Sequence, residues 1–150
     1  MKYLKQLLIA FKEYFSKKKT ITLPDEINSL EPLGRYLLTK SQFSHQKKRV
    51  KYTAFMPNPN NLELSVFRIS GLSQNKIWEI GEKYLTKNLE RTLYGIARII
   101  ALKVTDNKVQ IKSDNNPPRH ANIVGWPNEK SEQKLIAQEL AANAQLELKI

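Results

Sequence analysis

The sequence predicts an α+β domain with a mostly antiparallel sheet covered by helices. Two patterns indicate this class: pairs of short β-prone segments joined by turn residues, and stretches of helical apolar spacing that alternate with those pairs. The expected element order is α-ββ-α-ββ-α-β. With 150 residues, 41% of them hydrophobic and 26% charged, the chain is long enough for one domain with its own core. We therefore expect a single α+β domain over residues 20–150, preceded by a helix over residues 1–19.

The first expected element, residues 1–19, is a basic amphipathic helix whose apolar residues recur at helical spacing. Its longest apolar run has five residues, which is too short for a membrane span or a secretion signal, so we expect a cytoplasmic protein without a transmembrane segment. The apolar stripe fits packing on the domain, dimerisation, docking on a protein partner or contact with a membrane surface.

Two hairpins and a terminal strand supply the expected sheet. The four hairpin strands share short length, β-prone composition and flanking turn residues: 49–56 with 62–70, and 94–105 with 108–113. Their turns are the Pro- and Asn-rich segment 57–61 and the pair Asp106 and Asn107. The alternating residues 146–150 close the sheet, whereas residues 20–48 are expected to be irregular.

Two further helices are expected. The first covers residues 73–87, where the Ser73 hydroxyl suits an N-cap and Gly81 indicates the close approach of another element. The second covers residues 129–144, and its expected buried residues are Leu135, Ile136 and Leu140.

The formal net charge is +11 and is concentrated in the first part of the chain. Residues 1–60 carry 12 Lys and Arg against 4 Asp and Glu, whereas residues 61–150 carry 13 against 10. Basic surfaces attract phosphate backbones, and cations mixed with aromatic rings are typical of single-stranded nucleic-acid binding. The segment between Phe43 and Tyr52 has this mixture, so we expect nucleic-acid contacts at Lys47, Lys48, Arg49 and Lys51. The alternative is a lysine-rich surface that only confers solubility.

A loop bracketed by prolines, Pro117–Pro127, is the strongest candidate for a site. Proline restricts φ, so the loop is expected to hold its side chains with little ordering cost. Its His120 is the candidate catalytic residue, because imidazole titrates near neutral pH and can act as an acid or base.

Arg68 is expected on a strand that is covered on both faces, where an unpaired guanidinium is costly. It must therefore either pair with a carboxylate such as Glu79 or Glu82, or bind an anion near the helix that begins at Ser73. In the second case the loop and this junction face one concavity, and the binding residues are Arg68, Ser73, Arg119, His120, Asn122 and Trp126. In the alternative, Trp126 fills the core and His120 caps a turn.

The chain has no cysteine, which excludes disulfides and thiolate chemistry, and it has no phosphate-binding loop, zinc-protease or serine-hydrolase motif. We expect no metal and no cofactor.

The preferred function is a module that binds nucleic acid or another phosphate-bearing partner. Two alternatives remain open: a toxin-like enzyme that acts on RNA or a nucleotide through His120 and Arg68, and a subunit that docks on a protein partner through the N-terminal helix.

Four stretches resemble a group of small bacterial proteins of unknown function: SVFRISGL at 65–72, IWEIG at 77–81, PPRHANIVGWP at 117–127 and QKLIAQELA at 133–141. The resemblance spans about residues 35–148 and leaves the N-terminal helix outside it. It implies a bacterial origin and one compact unit, and it implies no catalytic residue.

Overall fold

The computed structural model describes residues 23–149 and has an α+β fold built on a six-stranded antiparallel sheet. The predicted N-terminal helix, residues 1–19, lies outside the described residues. None of the helices in the described part has both the length and the apolar content that crossing a bilayer requires.

The strands follow one another along the chain as β1 (Pro32–Leu37), β2 (Phe43–Ser44), β3 (Arg49–Val50), β4 (Leu64–Arg68), β5 (Gly95–Ile100), β6 (Gln110–Ser113), β7 (His120–Val124) and β8 (Gln145–Leu148). In the main sheet their spatial order is β6-β7-β4-β1-β5-β8, and β2 pairs with β3 in a separate small sheet. Every pair is antiparallel.

The helices are α1 (Gln74–Gly81), α2 (Ala101–Thr105) and α3 (Lys130–Ala142). A π-helical turn, Glu82–Thr86, extends α1, and two 3-10 helices cover Lys40–Gln42 and Tyr52–Phe55. The predictions of a helix over 73–87, a helix over 129–144 and a C-terminal strand are therefore confirmed, with ends that differ by a few residues.

The central strands of the main sheet, β1, β4 and β5, are buried on both faces. On β4, Leu64 and Val66 belong to the larger core beneath α3, whereas Phe67 contributes to a smaller core that includes Ile77 of α1. This confirms the expectation that β4 is covered on both sides. Because side chains alternate along a strand, neighbouring residues of β4 face different surroundings.

Gly81 marks the close approach that the sequence predicts. A Cβ atom at this position would lie 2.7 Å from the ring of Tyr36, whose hydroxyl donates a hydrogen bond of 2.6 Å to the Ile77 carbonyl oxygen. The side chain of Tyr36 therefore packs against α1 and holds it close to the sheet. Ser73 is the N-cap, because its hydroxyl accepts a hydrogen bond from the backbone N–H of Lys76 at 3.3 Å.

The first predicted hairpin is wrong. Only Arg49–Val50 forms a strand in its first half, and this strand pairs with β2, while β4 pairs with β1 and β7. Residues 52–55 form a 3-10 helix in which the adjacent residues Ala54 and Phe55 are both fully buried. A strand would have placed these two side chains on opposite faces.

The second predicted hairpin is also wrong. After β5 the chain turns into α2, in which the buried residues Ala101 and Val104 are three positions apart, as on one side of a helix. β5 pairs with β1 and β8, and β6 lies at the opposite edge of the sheet, paired with β7.

Three smaller predictions are corrected as well. The segment expected to be irregular, 20–48, contains β1, whose initial proline is tolerated because the first residue of a strand need not donate to the ladder. The loop Pro117–Pro127 contains β7. Leu135 is 64% exposed, because α3 buries the face that carries Gln133, Ala137, Leu140 and Ala141.

Candidate functional site

A chain of two hydrogen bonds joins Ser65, His120 and Asp114. Ser65 Oγ lies 2.6 Å from His120 Nε2, and His120 Nδ1 lies 2.7 Å from Asp114 Oδ1. Because an ionised carboxylate only accepts, Nδ1 carries the proton towards Asp114, and in the neutral ring Nε2 accepts the Ser65 hydroxyl proton. A hydroxyl, an imidazole and a carboxylate thus stand in the order that activates a serine.

The register of the sheet creates this contact. β4 pairs with β7 so that Phe67 lies opposite His120 and Ser65 lies opposite Asn122. The side chains of these residues share one face of the sheet, and Ser65 is the diagonal neighbour of His120. The edge of the imidazole also packs against the Phe67 ring, with 5.4 Å between the ring centres.

The loop between β6 and β7 carries Asp114 to the imidazole. The backbone N–H groups of Asp114 and Asn115 both donate to the His120 carbonyl oxygen, at 3.2 and 3.1 Å. Asn115 and Arg119, which lie within the loop, have φ values of 49° and 73°, in the left-handed region that non-glycine residues rarely occupy. Arg119 is held by hydrogen bonds from its Nη1 to the carbonyl oxygens of Arg68 and Ser70, at 3.0 and 2.8 Å.

The electrostatics keep Asp114 ionised. Partial burial raises the pKa of Asp114, but the hydrogen bonds from the Asn116 N–H and the His120 ring more than offset this and leave the pKa below its ordinary value. The amide of Asn122 lies 3.4 Å from the second carboxylate oxygen. Asp114 is 43% exposed and the His120 side chain 13%, so the chain of hydrogen bonds reaches the surface.

Ser65 lines a cleft of about 450 Å³ together with Arg35, Asn122 and the polar loop at 57–61. The Arg35 side chain donates to the carbonyl oxygens of Ala54 and Ser65 at 2.9 and 3.0 Å. Burial lowers the pKa of Arg35 to about 10, which leaves the group protonated at neutral pH. The cleft therefore joins a hydroxyl, a cation, the carboxylate of Glu63 and several amides.

Arg68 has a different environment from the one that the site prediction requires. Its guanidinium is fully buried and forms a two-pronged ion pair with Glu31, at 2.5 and 2.8 Å, instead of pairing with Glu79 or Glu82. The Pro24 carbonyl oxygen accepts a further hydrogen bond at 2.5 Å. Since Phe67 faces the same way as His120, the next residue, Arg68, faces away from it.

The side chains of Trp126 and Ser73 also make their contacts within the protein and do not line the predicted site. Trp126 is 6% exposed, belongs to the larger core and donates from Nε1 to the Ile123 carbonyl oxygen at 2.9 Å. Ser73 is committed to capping α1. Of the six predicted binding residues, His120 and Asn122 meet at the Asp114 carboxylate, and Arg119 belongs to the loop that carries Asp114.

The predicted cationic segment forms one wall of a groove of about 700 Å³. Its opposite wall comes from the C-terminal end of α3 and the start of β8, and the lining residues include Lys48, Arg49, Lys51, Tyr52, Gln138 and Gln145. Lys47 is exposed on the adjacent turn. Of the described residues that line this groove, none is acidic.

Sequence reasoning misses Ser65, Asp114 and Arg35. The Asp-Asn-Asn-Pro run at 114–117 is a turn signal that could have indicated the return of Asp114 towards His120. Ser65 carries no such signal, because its contact with His120 spans 55 positions and depends on strand register.

No protein-family model, curated protein or solved structure matches this chain. The resemblance to a group of small bacterial proteins therefore stays a prediction. Within residues 23–149, no three His, Asp or Glu side chains come together in a way that could hold a metal ion. Two surfaces of the described residues bring charged and polar side chains together, the cleft beside Ser65 and the cationic groove.

Proposed function

We propose that this domain binds single-stranded nucleic acid along the cationic groove. The observation that carries the proposal is the composition of the lining: Lys48, Arg49 and Lys51 stand on one wall, and no carboxylate stands among the described lining residues. A polyanion that enters the groove therefore meets attraction along this wall, and each phosphate it places beside a lysine or arginine releases counterions.

The groove also offers partners for bases. Tyr52 lines the groove and is half-buried, and the ammonium group of Lys134 lies 4.9 Å from the centre of the Tyr52 ring. An aromatic ring beside cations suits a single strand, whose unpaired bases can stack while its phosphates are neutralised. The amides of Gln138 and Gln145 add hydrogen-bond donors and acceptors to the opposite wall.

A binding titration at several salt concentrations tests this proposal. The full chain is titrated into fluorescein-labelled 12-nucleotide single strands of RNA and of DNA, and anisotropy is followed. We expect the logarithm of the association constant to fall linearly with the logarithm of salt concentration. Replacing Lys48 and Lys51 with glutamine should reduce that slope by about 0.7 for each phosphate contact that is lost.

The matched control replaces Lys108 and Lys112 with glutamine, which removes the same charge near β6, at the edge of the sheet opposite β8. This variant should keep a slope close to that of the unmodified chain. Equal losses in both variants would mean that overall charge, and not the groove, attracts the nucleic acid. An absence of binding at low salt would overturn the proposal.

A further inference from the structure

We infer that the cleft beside Ser65 is a hydrolytic site in which Ser65 is the nucleophile for a small polar carboxylic ester and His120 is its general base. This activity goes beyond nucleic-acid binding and uses residues that do not line the cationic groove. It needs neither Arg68 nor Trp126, and so it differs from the site that the sequence predicts.

The geometry meets the demands of an activated serine. A nucleophile and its base must lie within about 2.6–3.2 Å, with a third group orienting the base. The distance from Ser65 to His120 is 2.6 Å, and that from His120 to Asp114 is 2.7 Å. Asp114 is a positioning residue, because it holds the imidazole in the tautomer whose Nε2 can accept a proton.

The cleft indicates the class of substrate. Its volume of about 450 Å³ is within the usual range for small-molecule sites, roughly 300–1,000 Å³. The loop at 57–61 lines it with three asparagines, which favours a polar substrate over a long acyl chain. Arg35 donates from Nη1 to the backbone carbonyl oxygen of Ser65 at 3.0 Å, which fixes the start of β4 against β1 and so holds this wall of the cleft in place.

The reaction has two halves. The oxygen of Ser65 attacks the ester carbonyl carbon while its proton passes to His120 Nε2, and the bond to the alcohol oxygen then breaks as that oxygen takes the proton. This leaves an acyl group on Ser65. Water attacks the acyl group, giving its proton to Nε2, and Ser65 regains a proton as the acid leaves. One ester and one water yield one carboxylic acid and one alcohol.

Covalent labelling of the full chain tests the inference. A fluorophosphonate probe phosphonylates an activated serine: the serine oxygen bonds to phosphorus, the fluoride leaves, and the proton goes to the base. Peptide mass spectrometry of the unmodified protein should locate one adduct, on Ser65. Ser65→Ala should abolish this adduct, whereas Ser131→Ala, which removes an exposed serine at the start of α3, should leave labelling unchanged.

Two variants test the roles of the other residues. His120→Ala should slow labelling by about 100-fold or more, the usual scale for loss of a general base. Asp114→Asn should slow labelling similarly and also change its pH profile, because hydroxide must then remove the serine proton and the rate should rise steadily with pH. A purely structural role for Asp114 would leave the shape of that profile unchanged.

Labelling of the unmodified protein tests the inference even if a variant fails to fold. Absence of an adduct on Ser65 in the folded protein would overturn the inference. So would equal labelling of Ser65 in heat-unfolded protein, because the reactivity would then not depend on the fold. Hydrolysis of 4-nitrophenyl acetate that is lost in Ser65→Ala and kept in Ser131→Ala would extend the result from the probe to an ester.

Discussion

His120 and Arg68 belong to neighbouring strands of one sheet, yet their polar networks differ in kind. The guanidinium of Arg68 is closed off from water, and Glu31 and the Pro24 carbonyl oxygen accept its hydrogen bonds. The imidazole of His120 stands between the partly exposed Asp114 and Ser65, and Ser65 lines a cleft. One network is complete within the protein, and the other opens to solvent.

Because of this difference, we expect the Arg68 network to contribute mainly to the stability of the fold and the His120 network mainly to the reactivity of Ser65. A buried charge that loses its partner cannot be rescued by water, so Arg68 and Glu31 are needed for the fold. A hydrogen-bonded hydroxyl at a cleft can be solvated, so Ser65 contributes less to stability and remains accessible to a ligand. We therefore expect substitutions on the two sides of β4 to have separate effects on unfolding and on reactivity.

The largest expected effect is that of Glu31→Gln. This change leaves the Arg68 guanidinium buried without a counter-charge and should lower the free energy of unfolding by about 3–5 kcal/mol. Urea unfolding followed by circular dichroism measures it. The control is Glu79→Gln, which breaks an exposed ion pair with Lys76 and should cost no more than about 1 kcal/mol. Equal costs for the two changes would contradict the prediction that the buried ion pair of Arg68 stabilises the fold far more than an exposed pair does.

A smaller effect is expected for Ser65→Ala. The substitution removes one hydrogen bond at a half-buried position and should lower the free energy of unfolding by about 1 kcal/mol. The same urea experiment measures this change while fluorophosphonate labelling reports reactivity. A loss as large as that of Glu31→Gln would place Ser65 among the residues that the fold requires.

The smallest effect is a dependence of stability on acid. The folded state lowers the pKa of Asp114 below its ordinary value of 3.8, so its ionised form stabilises the fold above that pH, and the contribution is lost as pH falls through the folded-state pKa. The stability gap between the unmodified chain and Asp114→Asn should therefore be constant near neutral pH and narrow below about pH 4. Urea unfolding at a series of pH values tests this. A stability gap that widened in acid would contradict the prediction that ionised Asp114 stabilises the fold.

The segments that the sequence predicts well are those whose structure depends on near neighbours. The hydroxyl of Ser73 and the helical apolar spacing after it locate α1, and the same spacing locates α3. The sequence also predicts the cationic segment, because four cations between two aromatic residues form a local pattern. Leu135 shows the limit of such patterns, since its exposure depends on which side of α3 packs on the larger core.

The candidate site was only partly predictable for a related reason. His120 and Asn122 attract attention as polar residues in a proline-rich stretch, whereas Ser65 is one serine in an apolar strand. Its contact with His120 exists because β4 pairs with β7, and a shift of one residue in that pairing would turn the imidazole to the other face. The buried partner of Arg68, Glu31, is likewise 37 positions away along the chain.

Local sequence patterns specify the α+β class, the helices α1 and α3, the terminal strand and the location of the cationic surface. The pairing of the strands, the ion pair between Arg68 and Glu31, and the contact of Ser65 with His120 arise only in the folded domain. The two groups of features differ in the range of the hydrogen bonds that they need. Helices satisfy their backbone within four residues, so nearby sequence specifies them. A strand takes its partners from anywhere along the chain, so the pairing and every contact across it depend on the packing of the whole domain.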